Sequence, residues 1–404
     1  MNDNIIDTVI CGDSCKVLNS ISSNSINLVY LDPPFFSQKE HELSSRTDGK
    51  KYSFDDKFSS IDEYITFMSS VLKEIKRVLT DDGSIFLHCD RYASHYLREE
   101  LDKVFGEENF QSEIIWSYKR WSNSKKGLLN AHQNIYFYSK TKNFKFNQFY
   151  TDYSPSTNID QILQERVRNS KGKSEYKKDS KGNVVLSTVK KGVPLSDVWE
   201  IPFLNPKAKE RCGYPTQKPV KLLQRVIELV TNENDIVLDP FCGSGTTCVA
   251  AKSLNRKFIG IDKNPDAISL SNKRLSEMII SESGVLSKGI NSYIEKNSFE
   301  TNLLNLLNAI PVQRNKGIDG FIKSDKTLIP IKIQKETETI DEAIFNLENA
   351  VKGKEFPIKI LIQTNEKHDS NLFERNTDIK VVKYVDLRDC EVLSVNSVGC
   401  GKKF

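Results

Sequence analysis

Leu238-Asp239-Pro240-Phe241-Cys242-Gly243-Ser244-Gly245-Thr246-Thr247 carries more architectural information than any other stretch of the chain. Before it, Ile236-Val237-Leu238 is a short apolar run suited to a buried strand; after it, residues 246–254 read as a helix. Glycines at 243 and 245 permit a tight turn and close approach of a ligand to the backbone. The helix start they lead into offers N–H groups with no intrahelical acceptor. Strand, glycine turn and helix in that order open a doubly wound α/β sheet. No lysine stands where a phosphate-cradling loop needs one, which argues against nucleoside triphosphate hydrolysis. Asp239 sits instead at the strand mouth, where it would repel a pyrophosphate and attract a cation.

Two further acids share that edge. The next strand, residues 258–261, is followed by Asp262, about 20 residues on, the spacing at which a carboxylate accepts from ribose hydroxyls. Asp262 has a second reading, as cap of a helix starting near Pro265. Upstream, residues 5–10 form a strand that ends at Cys11-Gly12-Asp13, and Asp13 is suited to accept from an adenine amino group. A cationic ligand with an adenosine moiety points to S-adenosyl-L-methionine, which carries an ammonium and a sulfonium.

A second strand, residues 26–31, ends at Asp32-Pro33-Pro34-Phe35. An exocyclic amino nitrogen is a poor nucleophile because its lone pair is delocalised into the ring. Acceptors for both of its hydrogens favour a pyramidal nitrogen. Asp32 supplies a carboxylate, and Pro33 and Pro34 offer carbonyls without competing N–H groups. Phe35 supplies a flat face for an extruded base. Direct transfer to nitrogen then needs positioning and charge stabilisation, with no covalent intermediate. By itself, Asp-Pro-Pro could equally be an ordinary turn.

The remaining pattern alternates strands and helices. Residues 36–58 are polar and aperiodic and read as a mobile loop. Tyr64, Met68, Leu72, Ile75 and Leu79 recur at helical spacing, with Asp82-Gly83 expected to close that helix. Residues 84–88, 114–118 and 134–139 read as strands, and 92–105 and 219–230 as helices. Short apolar strands between helices predict a Rossmann-like α/β domain, its mostly parallel sheet covered on both faces. That domain is expected over residues 1–280, followed by a linker at 281–298 and a small α/β domain at 299–404.

A chain of 404 residues has room for this second core. It contains no apolar run long enough for a membrane span and no secretory start. The eight cysteines lack paired metal-ligand spacing, so they read as reduced thiols in a cytoplasmic protein with no metal site. A net charge of +4 barely selects a partner. Its distribution says more. Within a 151–200 insert, Arg166, Arg168, Lys171, Lys173, Lys177, Lys178, Lys181, Lys190 and Lys191 face few acids. Such a segment is either a solvated loop or a phosphate-contacting element that orders on DNA.

Together the two motifs resemble the β class of amino-methylating DNA methyltransferases, over residues 5–280. In that class Asp-Pro-Pro-aromatic precedes the glycine turn, as here. Further matches are Phe86-Leu87-His88-Cys89-Asp90, Asn109-Phe110, Glu113-Ile114-Ile115-Trp116, Tyr136-Phe137-Tyr138-Ser139-Lys140 and Tyr214-Pro215-Thr216-Gln217-Lys218-Pro219. The resemblance implies that Thr216 and Lys218 border S-adenosylmethionine, that Phe241, Gly243, Gly245 and Thr246 wrap it, and that the basic insert helps read the target. It also implies site-specific methylation of double-stranded DNA in a restriction–modification setting, with a homodimer and a cognate nuclease left open. A leading Asp goes mainly with adenine N6, so adenine is the expected target; cytosine N4 and RNA remain alternatives. Cytosine C5 chemistry would need a Pro-Cys loop that the chain lacks. Phe35 departs from the Tyr that the class more often carries.

The C-terminal region resembles a restriction-endonuclease-like fold through Lys316-Gly317-Ile318-Asp319-Gly320-Phe321 and Ile329-Pro330-Ile331-Lys332-Ile333-Gln334. A metal-dependent nuclease would want an acid or Gln, any residue, then Lys on the second strand. Lys332-Ile333-Gln334 does not supply this, so the domain is expected to be degenerate and to contact DNA or serve assembly, with a plain structural extension or cleavage as alternatives.

Overall fold

A computed structural model describes residues 5–34, 36, 40–44, 51–55, 57–118, 126–151, 163–186, 192–204, 208–281, 296–313, 315–323, 327–365 and 378–384. The chain divides into two units, Met1–Gly289 and Ile290–Phe404. Among the described residues no helix is long and apolar enough to cross a membrane.

The first unit is built on an eight-stranded sheet. Its strands are β1 (Thr8–Cys11), β2 (Ile26–Leu31), β3 (Leu79–Cys89), β4 (Phe110–Ser117), β5 (His132–Ser139), β6 (Val198–Glu200), β7 (Ile236–Asp239) and β8 (Lys257–Asp262), in the spatial order β1-β8-β7-β2-β3-β5-β4-β6. β5 runs opposite to β3 and β4, and the other pairings are parallel. The helices are α1 (Ser14–Ser20), α2 (Ile61–Val78), α3 (Ser94–Phe105), α4 (Val220–Val230), α5 (Thr246–Ser253) and α6 (Pro265–Glu277).

Alternation along β2 explains why its run from Leu28 to Leu31 is apolar on both faces. Leu28 and Tyr30 pack with α4 and α5, while Val29 and Leu31 pack with α1, α2 and α3 on the other face. Tyr64, Met68, Val71, Leu72, Ile75 and Val78 of α2 are completely buried, and each large side chain so placed contributes about 1.5–3 kcal/mol. Ser60 caps α2 by accepting from the Glu63 N–H at 3.1 Å.

Two local expectations need correction. α2 ends at Val78, ahead of Asp82-Gly83. Residues 80–83 belong to an irregular stretch of β3, where pairing with β2 jumps from Ile26↔Leu79 to Leu28↔Ser84. Within the expected loop at 36–58, Glu40–Ser44 and Lys51–Asp55 pair as an antiparallel hairpin. The alternation in Lys51-Tyr52-Ser53-Phe54-Asp55 is a short strand signal that the surrounding polar stretch obscured.

The second unit has a five-stranded sheet, β9 (Ala309–Pro311), β10 (Gly320–Lys323), β11 (Leu328–Ile333), β12 (Lys359–Gln363) and β13 (Ile379–Lys383), in that order. Pairing is antiparallel from β9 to β11 and parallel from β11 to β13. α7 (Ser298–Leu306) packs on Ile329, Ile331 and Ile333, and α8 (Ile340–Val351) packs with Leu361 and Ile379.

Candidate active site

A parallel sheet delivers the C-terminal ends of its strands to one edge, and β1, β8, β7 and β2 are consecutive neighbours. In-register pairs Cys11↔Asp262, Asp239↔Gly260 and Leu238↔Val29 therefore bring Asp13, Asp262, Asp239 and Asp32 into one row. β7 continues through α5 to β8 on one side, and β2 through α2 to β3 on the other. The crevice between β7 and β2 is the switch point at which ligands enter such sheets. A cavity of about 750 Å³ opens there, lined by Asp13, Asp32, Pro33, Pro34, Tyr214, Thr216, Lys218, Asp239, Phe241, Gly243, Thr246 and Asp262, among others. The Asp-Pro-Pro corner and the glycine turn, far apart in sequence, thus face a common space.

The turn is held from beneath. Asp239 accepts from the Phe241 N–H at 3.1 Å and the Thr247 hydroxyl at 2.5 Å. Burial pushes its carboxyl up to about 7. Asp262 accepts from the N–H groups of Gly243 at 2.9 Å and Asn264 at 2.8 Å. The cap of α6 is Asn264, so the second reading of Asp262 as that cap does not apply. Asp13 caps α1 through the Lys16 N–H and still lines the cavity.

Gly243 (φ 48°) and Gly245 (φ 72°) occupy the left-handed region. A Cβ at Gly245 would stand 2.7 Å from the Ser271 Cβ, and one at Gly243 would stand 2.9 Å from Tyr214. The close approach that these glycines permit is thus to the protein's own side chains as well as to any ligand.

The second motif is tied to α2. The Tyr64 hydroxyl donates to the Pro34 carbonyl at 2.9 Å, which engages one of the two proline carbonyls expected to face a base. Asp32 accepts from the Lys218 ammonium, and its other oxygen, Oδ1, is buried without a hydrogen-bond partner among the described residues. Burial raises its carboxyl, with Lys218 opposing. Lys218, expected beside the cofactor, is therefore engaged with the Asp-Pro-Pro acid while lining the same cavity. Phe35 lies outside the described residues. Phe58 and Phe67 line the cavity wall, with Phe67 6.1 Å from Phe241 and Phe58 5.0 Å from Tyr64 between ring centroids.

Several participants had no role assigned from the sequence, although His88 lies in the Phe86–Asp90 match. Tyr30, on the cavity wall, is hydrogen-bonded to His88 Nδ1 at 2.6 Å, and His88 Nε2 to Gln133 at 3.0 Å. Burial first, and then the Lys218 charge, hold His88 well below its ordinary value. Arg274, buried on α6, donates to the Ser244 carbonyl at 2.7 Å and the Thr246 hydroxyl at 2.9 Å, pinning the turn. A helix start near Pro265 was legible in the sequence, but nothing there singled out the arginine buried on it.

The basic insert has structure. Residues 166–168 and 174–176 pair antiparallel in register Arg166↔Tyr176. Arg166, Arg168, Lys171, Lys173, Lys177, Lys178 and Lys181 are all exposed. Asn169, half-buried, shapes the turn between the strands by accepting from the N–H groups of Lys171 at 3.0 Å and Lys173 at 2.9 Å. Lys177 pairs with Glu165 at 2.6 Å. Lys190 and Lys191 lie outside the described residues.

In the second unit Asp319 is completely buried and accepts from Lys296, from the Ile333 N–H at 2.7 Å and from Lys335 at 3.1 Å. Burial works against its ionisation, but these partners outweigh it and hold the carboxyl below its usual range. Lys332 pairs with Glu338 at 2.9 Å. Lysine ammoniums thus surround the acid, and among the described residues no group of three or more His, Cys, Asp or Glu is placed to hold a metal.

A doubly wound sheet whose switch-point cavity joins a row of acids to an Asp-Pro-Pro corner defines a Rossmann-like protein of the methyltransferase type. The sequence matches the DNA methylase family N6_N4_Mtase over residues 26–273, more than half of the chain, and the chain belongs to that family. Its cofactor is S-adenosyl-L-methionine. The chain is 33% identical over 295 residues to the type II methyltransferase M.HinfI of Haemophilus influenzae, covering 69% of this chain and 71% of that protein. It is 31% identical over 268 residues to the type II methyltransferase M.HpaI of Haemophilus parainfluenzae, covering 66% and 73%. To the DNA adenine methyltransferase YhdJ of Escherichia coli K12 it is 30% identical over 271 residues, covering 66% and 82%. Among solved structures, the PvuII cytosine-N4-specific DNA methyltransferase aligns with a TM-score of 0.45 at 20% identity, over 70% of this chain and 90% of that one.

Proposed function

We propose that the protein transfers a methyl group from S-adenosylmethionine to the N6 amino nitrogen of adenine in double-stranded DNA, at a specific sequence, on a base turned out of the helix. The observation that carries this reading is the single cavity shared by Asp32-Pro33-Pro34 and the glycine turn. Its residues fit the cofactor. Asp13, Asp239 and Asp262 give one end a negative lining suited to a cation, and the buried Oδ1 of Asp32 lacks a donor at the other.

The bound cofactor supplies an electrophilic methyl on a sulfonium. Asp262 would accept from ribose hydroxyls, Asp13 from the adenine amino group, and Asp239 would offset positive charge, with Thr216, Phe241, Gly243, Gly245 and Thr246 as walls. Asp32 accepts one N–H of the target amino group and Pro33 offers its carbonyl to the other. The nitrogen lone pair is thereby freed to attack. Asp32 is also the acceptor nearest to the proton that the methylated nitrogen sheds. Phe35 is assigned the stacking role, and Pro34 holds the corner through Tyr64.

Asp at the head of the motif and the relative named as an adenine methyltransferase favour adenine over cytosine. The type II relatives favour a modification enzyme with a cognate nuclease. Residues 1–280 are assigned the chemistry and the 166–181 hairpin a share in DNA contact. The test is labelled methyl transfer to DNA, followed by hydrolysis and chromatography of the nucleosides. Label in N6-methyladenine, lost in Asp32→Ala, is expected; label in N4-methylcytosine, or unchanged transfer by Asp32→Ala, rejects the assignment.

A further inference from the structure

We infer that Lys218 is a positioning residue for Asp32, holding its carboxylate in the acceptor form and orientation that methyl transfer needs. The inference rests on the methyltransferase reading above. It begins with how firmly the lysine is aimed. Gln217, next to it, accepts from the Cys212 N–H at 2.9 Å and donates to the Glu210 carbonyl at 2.8 Å. The Glu210 carboxylate in turn accepts from the Val220 N–H at 2.8 Å and the Ser281 N–H at 3.0 Å. The segment is thus clamped on both sides of Lys218. On the same side as Gln217, Thr216 is held at φ 62°, a conformation costly for a β-branched residue and kept only where surroundings impose it. Only 6% of the Lys218 side chain is exposed, and the ammonium ends on Asp32 Oδ2. One oxygen is fixed by the lysine, and the other is left as an acceptor awaiting a donor.

Electrostatics give that contact a second consequence. The groups facing the pair are Tyr30 on β2, His88 and Cys89 on β3, Asp90 beyond it, Tyr214 in the preceding loop and Asp239 on β7. Lys57, Asp13, Asp262 and Lys263 line the rest of the cavity. Burial keeps the two tyrosines, Cys89 and His88 in their neutral forms, and it opposes ionisation of Asp32 as well. Lys218 is the cation in contact with the carboxylate and acts against its protonation. A protonated Asp32 would point an O–H at a nitrogen whose hydrogens it must accept, so a proton there stops the reaction.

The test is kcat at saturating cofactor, followed from mildly acid to alkaline pH, so that pH effects on cofactor binding drop out. In Lys218→Gln the acid limb of the profile is expected to move up by about 1–3 pH units, with activity regained in alkali. Lys218→Arg keeps the wild-type limb whatever its rate. A Lys218→Gln that loses the same factor at every pH, or a Lys218→Arg whose limb moves equally far, overturns the inference. Should Lys218→Gln not fold, the infrared carboxyl band that disappears in Asp32→Asn reports the same group in the wild type. An ionised Asp32 at neutral pH supports the inference, and a protonated one overturns it. A wild type that transfers no methyl at any pH sinks the parent reading instead, a distinct result.

Discussion

Asp239 illustrates how a side chain that caps a turn also becomes sensitive to what binds above it. Its carboxyl, pushed up to about 7, keeps a proton in the folded protein at pH values where the unfolded chain has lost it. That proton adds stability as pH falls from about 7 toward the ordinary carboxylate range, and the contribution is absent well above 7. A cation bound nearby favours the ionised form, so cofactor affinity should rise with pH through about 7 and binding should release a proton. Calorimetry in buffers of different ionisation heat measures this, and Asp239→Asn should remove the dependence. Gly245→Ala should destabilise the fold by at least about 1–2 kcal/mol from its left-handed backbone alone, with the Ser271 contact adding to it; a denaturant melt that matches wild type would contradict this. At this scale the strand-end positions of Asp13, Asp239, Asp262 and Asp32 were legible, because each closes an apolar run near a glycine or proline. Arg274 and the linking of Tyr30, His88 and Gln133 were not, although His88 stood in a recognised match. Polar residues inside buried elements look like ordinary interruptions of a pattern until their partners are known.

Elements with a long apolar period were read well, and short paired segments were missed. α2 announced itself through Tyr64, Met68, Leu72 and Ile75, and Ser60→Ala at its start should cost about 1 kcal/mol in a thermal or denaturant melt. The hairpin at 40–55 shows no such period, and the basic segment at 166–186 could be placed only by its charge. Arg166 and Arg168 lie on one exposed strand of that segment. If they bind phosphates, Arg166→Ala with Arg168→Ala should weaken binding uniformly across DNA sequences. The slope of log affinity against log salt should then fall by about 1 for each phosphate no longer neutralised. A slope equal to wild type would free this strand from that role.

For the molecule as a whole, the order of the two motifs and their need to share a cavity were legible, but the strand order that joins them was not. Nothing in the sequence states that β7 inserts between β8 and β2, and that insertion makes one site from two motifs. The second unit has its own sheet and its own apolar clusters. Residues 1–289 expressed alone should therefore melt cooperatively and retain labelled methyl transfer; aggregation or loss of transfer would tie the chemistry to both units. Asp319 and its lysines make a further prediction. Chelators should leave the melting of the second unit unchanged, because ammonium groups already balance its buried acid.

β1 pairs with β8 at the border of the sheet. β1 therefore gains this partner only once residue 262 has been made. Assembly of this sheet is governed by a long-range closure rather than by sequential addition, which predicts slow folding and a vulnerable nascent chain.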